Sequence, residues 1–301
     1  MKLLKGWRMR NRVMLSLLAI GTLQAADLEL QPDTLKSWDE YVRNATAQMQ
    51  QRVQSGKPFL CMDDNHDRAA KVRTGEIVVW PARDSSPKRV PSGLIHDWMG
   101  AAFIPDGNIE DVLSVVRDYA RYKEVYKPAI LDAKLIKQNG GDDQYSMLLR
   151  SGSFFSKTAL NGEFKSSYIK IDEKRGLSVS CTSRVQEIDN FGQPGERKLP
   201  PDQGHGYVWR MCSLSQLEER DGGVYVTEQM IALSRDIPAA VRWMAGPVIR
   251  RVAKETLSAS IGRTRIAVGA KSTSPAVVAT RKEAGFDPSG ACARGVAGCL
   301  R

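Results

Sequence analysis

The sequence predicts an α+β protein in which a curved antiparallel sheet of about seven strands wraps around one long C-terminal helix, with a helical extension before it. Three observations lead there. From residue 93 onward, runs that read as strands fall at 93–104, 129–138, 143–154, 159–172, 176–189, 204–219 and 223–235, with one helical stretch, 109–126, after the first. The reversals carry Asn139-Gly140-Gly141, Asn161-Gly162, Lys174-Arg175-Gly176 and Asp221-Gly222-Gly223, so consecutive strands are expected to pair as an antiparallel meander. Finally, Asp236-Ile-Pro238 opens a helical region that Gly246-Pro247 interrupts. A long amphipathic helix is expected from 247 to 267, with Pro247 in its first turn.

Residues 1–25 carry Lys2, Lys5, Arg8, Arg10 and Arg12 without an acid, then an apolar run from Val13 to Leu23 and a small-residue site at Ala25-Ala26. That is the order of a cleaved export signal, which places the working protein in the periplasm or outside the cell. Leu23 is a poor residue at the third position before the cut, which leaves an uncleaved anchor as the alternative. The apolar run is shorter than the roughly 20 residues a bilayer requires, and no later stretch reaches that length. No Cys stands where a lipoprotein would be acylated. The segment 26–92 begins with an amphipathic helix at 35–53, its stripe formed by Leu35, Trp38, Val42, Ala45 and Met49. A short apolar run follows at 58–62, a strand at 76–80, and a linker rich in Pro, Ser and charge at 81–93. The main body is 93–268. The tail, 269–301, is Ala, Gly, Ser and Arg with almost no large apolar residue, and is expected to be disordered.

The formal net charge is +10. It is concentrated in the signal segment and the tail, and the remaining body is near neutrality, which argues against nucleic acid as a partner. Five cysteines are too few and too scattered for a disulfide scaffold, so an apolar core must hold the fold. Cys181 and Cys212 fall directly opposite one another in the expected hairpin register. They pack there as buried thiols or, in an oxidising compartment, form a disulfide.

A helix laid across the concave side of a twisted sheet does not fill it, and an apolar tunnel between the two is the expected result. This order of elements, with Val115-Val-Arg-Asp-Tyr-Ala-Arg-Tyr122, Tyr126-Lys-Pro128 and Lys134-Leu-Ile136, resembles the START-like (SRPBCC) superfamily and is most similar to its polyketide cyclase and coenzyme Q-binding branch. Leu94-Ile-His-Asp-Trp98 and Leu233-Ser-Arg-Asp-Ile-Pro238 look like segments of uncharacterised secreted bacterial members. The resemblance covers residues 93–267 and implies a helix-grip fold that binds a lipid, quinone, sterol or polyketide-like molecule, only sometimes with chemistry on it.

No phosphate-binding glycine loop, paired metal histidines, nucleophile elbow or Cys-x-x-Cys occurs, so neither a cofactor nor a metal is expected. Strand parity places His96 and Trp98 on one face of the first strand, and Glu228 with Met230 on one face of the last. A buried Glu228 requires a partner such as Arg235 or Arg184. Tyr145 and Trp209 complete the expected cavity wall, with Trp209 and Tyr207 leading out of the long loop 190–204, which is either a gate or an ordinary surface loop. On the final helix Val241, Met244, Val248, Val252, Thr256 and Ala259 form the expected roof. Arg242, Arg250, Arg251, Lys254 and Arg263 mostly face away, a basic face able to meet an anionic membrane surface. The functional expectation is an exported protein that holds a hydrophobic ligand. The alternatives are an enzyme of cyclase or hydrolase type acting in the same cavity, and an interaction module that exposes an apolar patch around Trp38. Intact mass of the protein recovered from its host's envelope fraction should lack residues 1–25; retention of those residues would leave the uncleaved anchor.

Overall fold

The computed structural model describes residues 28–84, 86–151 and 158–272. The signal-peptide reading and nearly all of the expected tail lie outside the described residues. Twelve strands and five α-helices follow in chain order: β1 (Leu28–Glu29), α1 (Pro32–Gln54), α2 (His66–Arg73), β2 (Val78–Pro81), β3 (Lys88–Val90), β4 (Gly93–Pro105), α3 (Ile109–Val116), α4 (Tyr122–Val125), β5 (Ile130–Asn139), β6 (Asp142–Ser151), β7 (Thr158–Lys170), β8 (Arg175–Asp189), β9 (Arg197–Lys198), β10 (Gln203–Gly204), β11 (Arg210–Arg220), β12 (Gly223–Arg235) and α5 (Ala239–Ser272).

The seven expected strands are the long ones, β4, β5, β6, β7, β8, β11 and β12, and the sheet order is β2-β4-β12-β11-β8-β7-β6-β5. Each consecutive pair from β5 to β12 is antiparallel, and β12 closes back on β4. Asp221 and Gly222 both have positive φ, at 54° and 76°, which is the two-residue turn that matches strand twist. Bulges at Ile130/Asp132, Leu135/Lys137 and Glu163/Phe164 bend the strands on the β5–β8 side. With α5 lying on one face of this sheet, the architecture is a helix grip.

Strand alternation gives the sheet two apolar faces, and a helix covers each. On the outer face α1 buries Trp38, Tyr41, Val42, Ala45 and Met49 against Ile95, Leu177, Val179, Leu214, Ile231 and Leu233. Tyr41 on α1 donates to Asp97 Oδ2 at 2.8 Å, and Gln229 Nε2 donates to both Asp97 oxygens at 2.9 Å. This satisfies a carboxyl that is 2 % exposed. Trp38 is 3 % exposed, so the exposed patch required by the interaction-module reading is absent there. On the inner face Leu257, Ile261, Thr264 and Val268 of α5 are buried at helical spacing. Leu257 and Ile261 pack on Trp98 and Ala102 of β4. Gly100 lies beneath them, where an added Cβ would come within 2.6 Å of Ile261 Cδ1 and 3.0 Å of Leu257 Cγ.

Several boundaries differ from expectation. The stretch 109–126 is not one helix: α3 opens with a full capping box between Asn108 and Asp111, a 3-10 turn spans Tyr119–Arg121, and α4 is short. The break lets Arg117 reach Asp143 with both Nε (2.9 Å) and Nη2 (2.8 Å), while Tyr119 donates to the same carboxylate at 2.8 Å. Asn161-Gly162 is no turn. Both residues lie inside β7, where the Phe164 ring crosses Gly162, and the reversal before β7 is outside the described residues. β11 begins at Arg210 because Gly206, at φ +67°, takes the chain over the Trp209 ring. Helix α2, which the sequence reading passed over, is capped by the Asn65 side chain accepting from the Arg68 amide at 2.9 Å. Pro247 lies inside α5 rather than at its start, and the helix continues past Gly269 to Ser272. Gly100→Val should lower stability by about 1–3 kcal/mol through overpacking under α5, read as a fall in the urea midpoint at unchanged m-value.

Candidate functional site

Between the inner face and α5 lies a cavity of about 550 Å³. It exists because α5 leans on β4, β2 and α3 and stands off the strands from β12 to β5. One end is aromatic: Tyr145 stacks on Phe164 at 5.0 Å and on Tyr119 at 4.2 Å between centroids, and Tyr122 meets Tyr126 edge-on at 5.0 Å. Tyr126 is held to α5 by a 3.0 Å hydrogen bond with Thr264, and burial pushes its hydroxyl up to about 12. The other end is aliphatic, built from Ile104, Val112, Leu217 and Val226. The mouth is rimmed by exposed residues on two elements: Lys127, Pro128 and Ala129 after α4, and Glu255, Thr256, Ala259 and Arg263 on α5.

The floor carries a polar strip. Ser213 and Ser215 of β11 stand in register with Ser180 and Ser178 of β8, and Ser215 with Glu228 of β12. All five line the cavity. The Ser213 hydroxyl donates to Glu228 Oε1 at 2.7 Å, and Ser180 meets the Tyr145 hydroxyl at 2.9 Å. Burial pushes the Glu228 carboxyl up, partly offset by Ser213.

Of the residues singled out in the sequence, Tyr145, Glu228 and Met230 line this cavity, as do Cys212, Thr256, Ala259 and, at the rim, Arg263, which was expected on the outward basic face. His96, Trp98, Trp209, Arg235, Val248 and Val252 do not, and the side chains of Val241 and Arg242 lie outside the described residues. Trp98 lies where α5 sits down on β4, and His96 shares its strand face. His96 Nε2 pairs with Ser234 Oγ at 2.9 Å, and Trp98 packs under Leu257. Trp209 belongs to the outer-face core beneath α1, and Arg235 stacks over Tyr207 at 5.4 Å. Neither Arg235 nor Arg184 meets Glu228; Arg184 pairs with Glu163 instead. Val248 and Val252 are 61 % and 54 % exposed. At 100° per residue, Val252 stands about 140° from Leu257 around the helix, so the face fixed by Leu257 and Ile261 turns it outward. The Met244 side chain lies outside the described residues. Cys181 and Cys212 are directly opposed and disulfide-bonded, on the outer face with the α1 core. The serine strip lies outside the residues singled out in the sequence, and Tyr126 figures there only within the segment Tyr126-Lys-Pro128. Alternating serines at 178 and 180, and again at 213 and 215, were the available signal.

The loop 190–204 borders no part of the cavity. Gln186 Nε2 donates to the Leu199 carbonyl at 2.9 Å, β9 pairs with β8, and Arg210 grips Asp202. Just beyond the loop His205 pairs with Glu187. Glu187, Asp189 and His205 form the one grouping of three metal-ligand types among the described residues, each offering an atom within 4.8 Å of the others. His205 Nδ1 is already engaged by Glu187, and Asp189 by Arg197 at 3.3 Å.

No family model matches the sequence, and no curated protein is similar to it. Among solved structures, the chain is similar to a STAR-related lipid transfer protein from Xanthomonas axonopodis at 17 % identity and a TM-score of 0.40, over 63 % of this chain and 98 % of that one. Human STARD10 aligns at 9 % identity and 0.40, over 68 % and 79 %. The Zhui aromatase/cyclase from Streptomyces sp. R1128 aligns at 8 % identity and 0.39, over 58 % and 94 %. Each is a likeness of architecture.

Burial pushes the His96 imidazole down to about 4. The unfolded chain therefore binds more protons than the folded one between about pH 6.5 and 4, and stability falls as pH is lowered through that window, by about 3 kcal/mol in all. The raised carboxyls of Asp97 and Glu228 act in the opposite sense. The contribution is accordingly read as a difference: chemical denaturation at pH 7 and pH 4.5 should show a smaller acid loss in His96→Asn than in the unsubstituted protein.

Proposed function

We propose that the chain is an exported binding protein that holds a hydrophobic ligand, of lipid, quinone, sterol or polyketide-like type, between the sheet and α5. The observation that carries this reading is the cavity itself: about 550 Å³, walled mainly by apolar and aromatic side chains and open at one rim. Such a wall offers a ligand apolar burial at about 25 cal/mol per Å². Holding is favoured over chemistry because, among the described residues, Glu228, the carboxyl on the floor, is hydrogen-bonded by a serine and joined in no salt bridge, and the titratable group it influences, the Tyr126 hydroxyl, is itself held by Thr264. The leader-like residues 1–25 support export.

Exposed apolar and basic residues between Trp243 and Lys254 of α5 support delivery at a membrane surface. Trp243 is 75 % exposed, and it lies on the same stretch of helix as Val248, Val252, Arg250, Arg251 and Lys254, which leads up to the cavity rim at Glu255. Apolar and basic side chains mixed on one helical segment suit the interface of an anionic bilayer, at about 1 kcal/mol per basic residue.

Native mass spectrometry with organic extraction, on protein purified from its own host's envelope fraction, should show a stoichiometric hydrophobic molecule. A ligand-free protein that also takes up no hydrophobic probe would overturn the binding reading. Vesicles containing phosphatidylglycerol should co-sediment the protein more strongly than pure phosphatidylcholine vesicles. Trp243→Ala with Arg250→Glu and Arg251→Glu should reduce that fraction severalfold, as should 0.5 M salt.

A further inference from the structure

The floor of the cavity constrains the head of the ligand more narrowly than its apolar wall does. Glu228 sits between Val226 and Met230 on β12 and is enclosed by protein, its remaining exposure directed into the cavity. One carboxyl oxygen accepts from Ser213. Among the described residues, nothing meets the other oxygen, nor the hydroxyls of Ser178 and Ser215 in the same strip. These groups lie together on the floor of a largely apolar and aromatic cavity, and unmet polar groups in such a place favour a ligand that brings the missing partner. The cations of the lining, Lys127 and Arg263, are exposed at the rim, and no salt bridge joins either to Glu228 among the described residues.

Two consequences follow. An anionic head, carboxylate or phosphate, would be desolvated against an acid with no cation to receive it. An uncharged head with a hydroxyl or amide finds groups that both donate and accept: serine hydroxyls and a carboxyl favoured in its neutral form by burial. Resting on the binding reading above, we propose that the strip formed by Glu228, Ser213, Ser215, Ser178 and Ser180 is the head-group subsite, and that it selects amphiphiles with an uncharged hydroxyl or amide head while rejecting anionic ones.

The test is displacement of Nile red from the full mature chain at pH 7.5 by four ligands of one chain length: dodecanol, dodecanamide, dodecylamine and dodecanoate. Dodecanol and dodecanamide are expected to displace the probe about tenfold more effectively than dodecanoate. Glu228→Leu should lower dodecanol affinity by about tenfold, in line with one lost buried hydrogen bond, and should leave dodecanoate unchanged. Glu228→Gln, which keeps a donor and an acceptor, should hold dodecanol within about twofold. Dodecanoate binding as tightly as dodecanol, or an intact alcohol preference in a folded Glu228→Leu protein, would overturn the head-group assignment while Nile red uptake leaves the cavity standing. Dodecylamine binding tenfold tighter than the alcohol would overturn the uncharged head in favour of a cation on an ionised Glu228. Failure of the unsubstituted protein to take up Nile red would sink the binding reading itself, and the head-group assignment with it.

Discussion

The long C-terminal helix sits close upon the sheet at Gly100, and the cavity follows from that contact. With no Cβ at this position, Leu257 and Ile261 settle between Trp98 and Ala102, and α5 comes down onto β4 at one side of the sheet. A helix fixed to one side of a bulged sheet does not follow the strands that curl away from it. From β12 to β5 the gap widens, and the aromatic cluster of Tyr122, Tyr126, Tyr145 and Phe164 closes its end without filling it. Arg117, clamped on Asp143, holds the α3–α4 corner where those rings converge.

A cavity on one face makes the other face the place where stability must be found. Empty space forfeits packing contacts, and among the described residues the outer face carries the largest continuous core, with α1 as its lid. Tyr41, Gln229 and Asp97 add direction to that packing. The buried acid accepts from one donor on the helix and one on the sheet, so α1 cannot slide without leaving a carboxyl unmet. The Cys181–Cys212 bond lies in this same layer and joins β8 to β11 directly beneath the floor of the cavity. The N-terminal extension is thus part of the fold that holds the site.

Inside the cavity, the same alternation that makes the wall apolar places its few polar groups in a row. Ser178, Ser180, Ser213, Ser215 and Glu228 share one face because β8, β11 and β12 are in register. Their outward neighbours, Val179, Leu214 and Gln229, meet α1 or its contacts. A polar strip beneath a helix that does not touch it is stable only while water or a ligand meets it, and this ties the preference of the site to the geometry that leaves it open.

The sequence by itself determined the order and direction of the seven long strands, the C-terminal helix that grips them and the opposition of Cys181 to Cys212, because period-2 alternation and glycine-bearing turns are local signals. The same parity put Glu228, Met230 and Tyr145 where the cavity would open. Tertiary structure alone decided which ends of the strands that cavity occupies. Trp98 has the right parity, yet lies where α5 touches the sheet; His96, on the same face, is taken up by Ser234, and Trp209 lies in the opposite core. Helix phase was decided in the same way: Val248 and Val252 complete a plausible apolar stripe, but Leu257 and Ile261 set the rotation through their seat over Gly100 and turn both valines to solvent. Periodicity fixes which residues share a face, whereas the distance between two faces depends on contacts far apart in sequence.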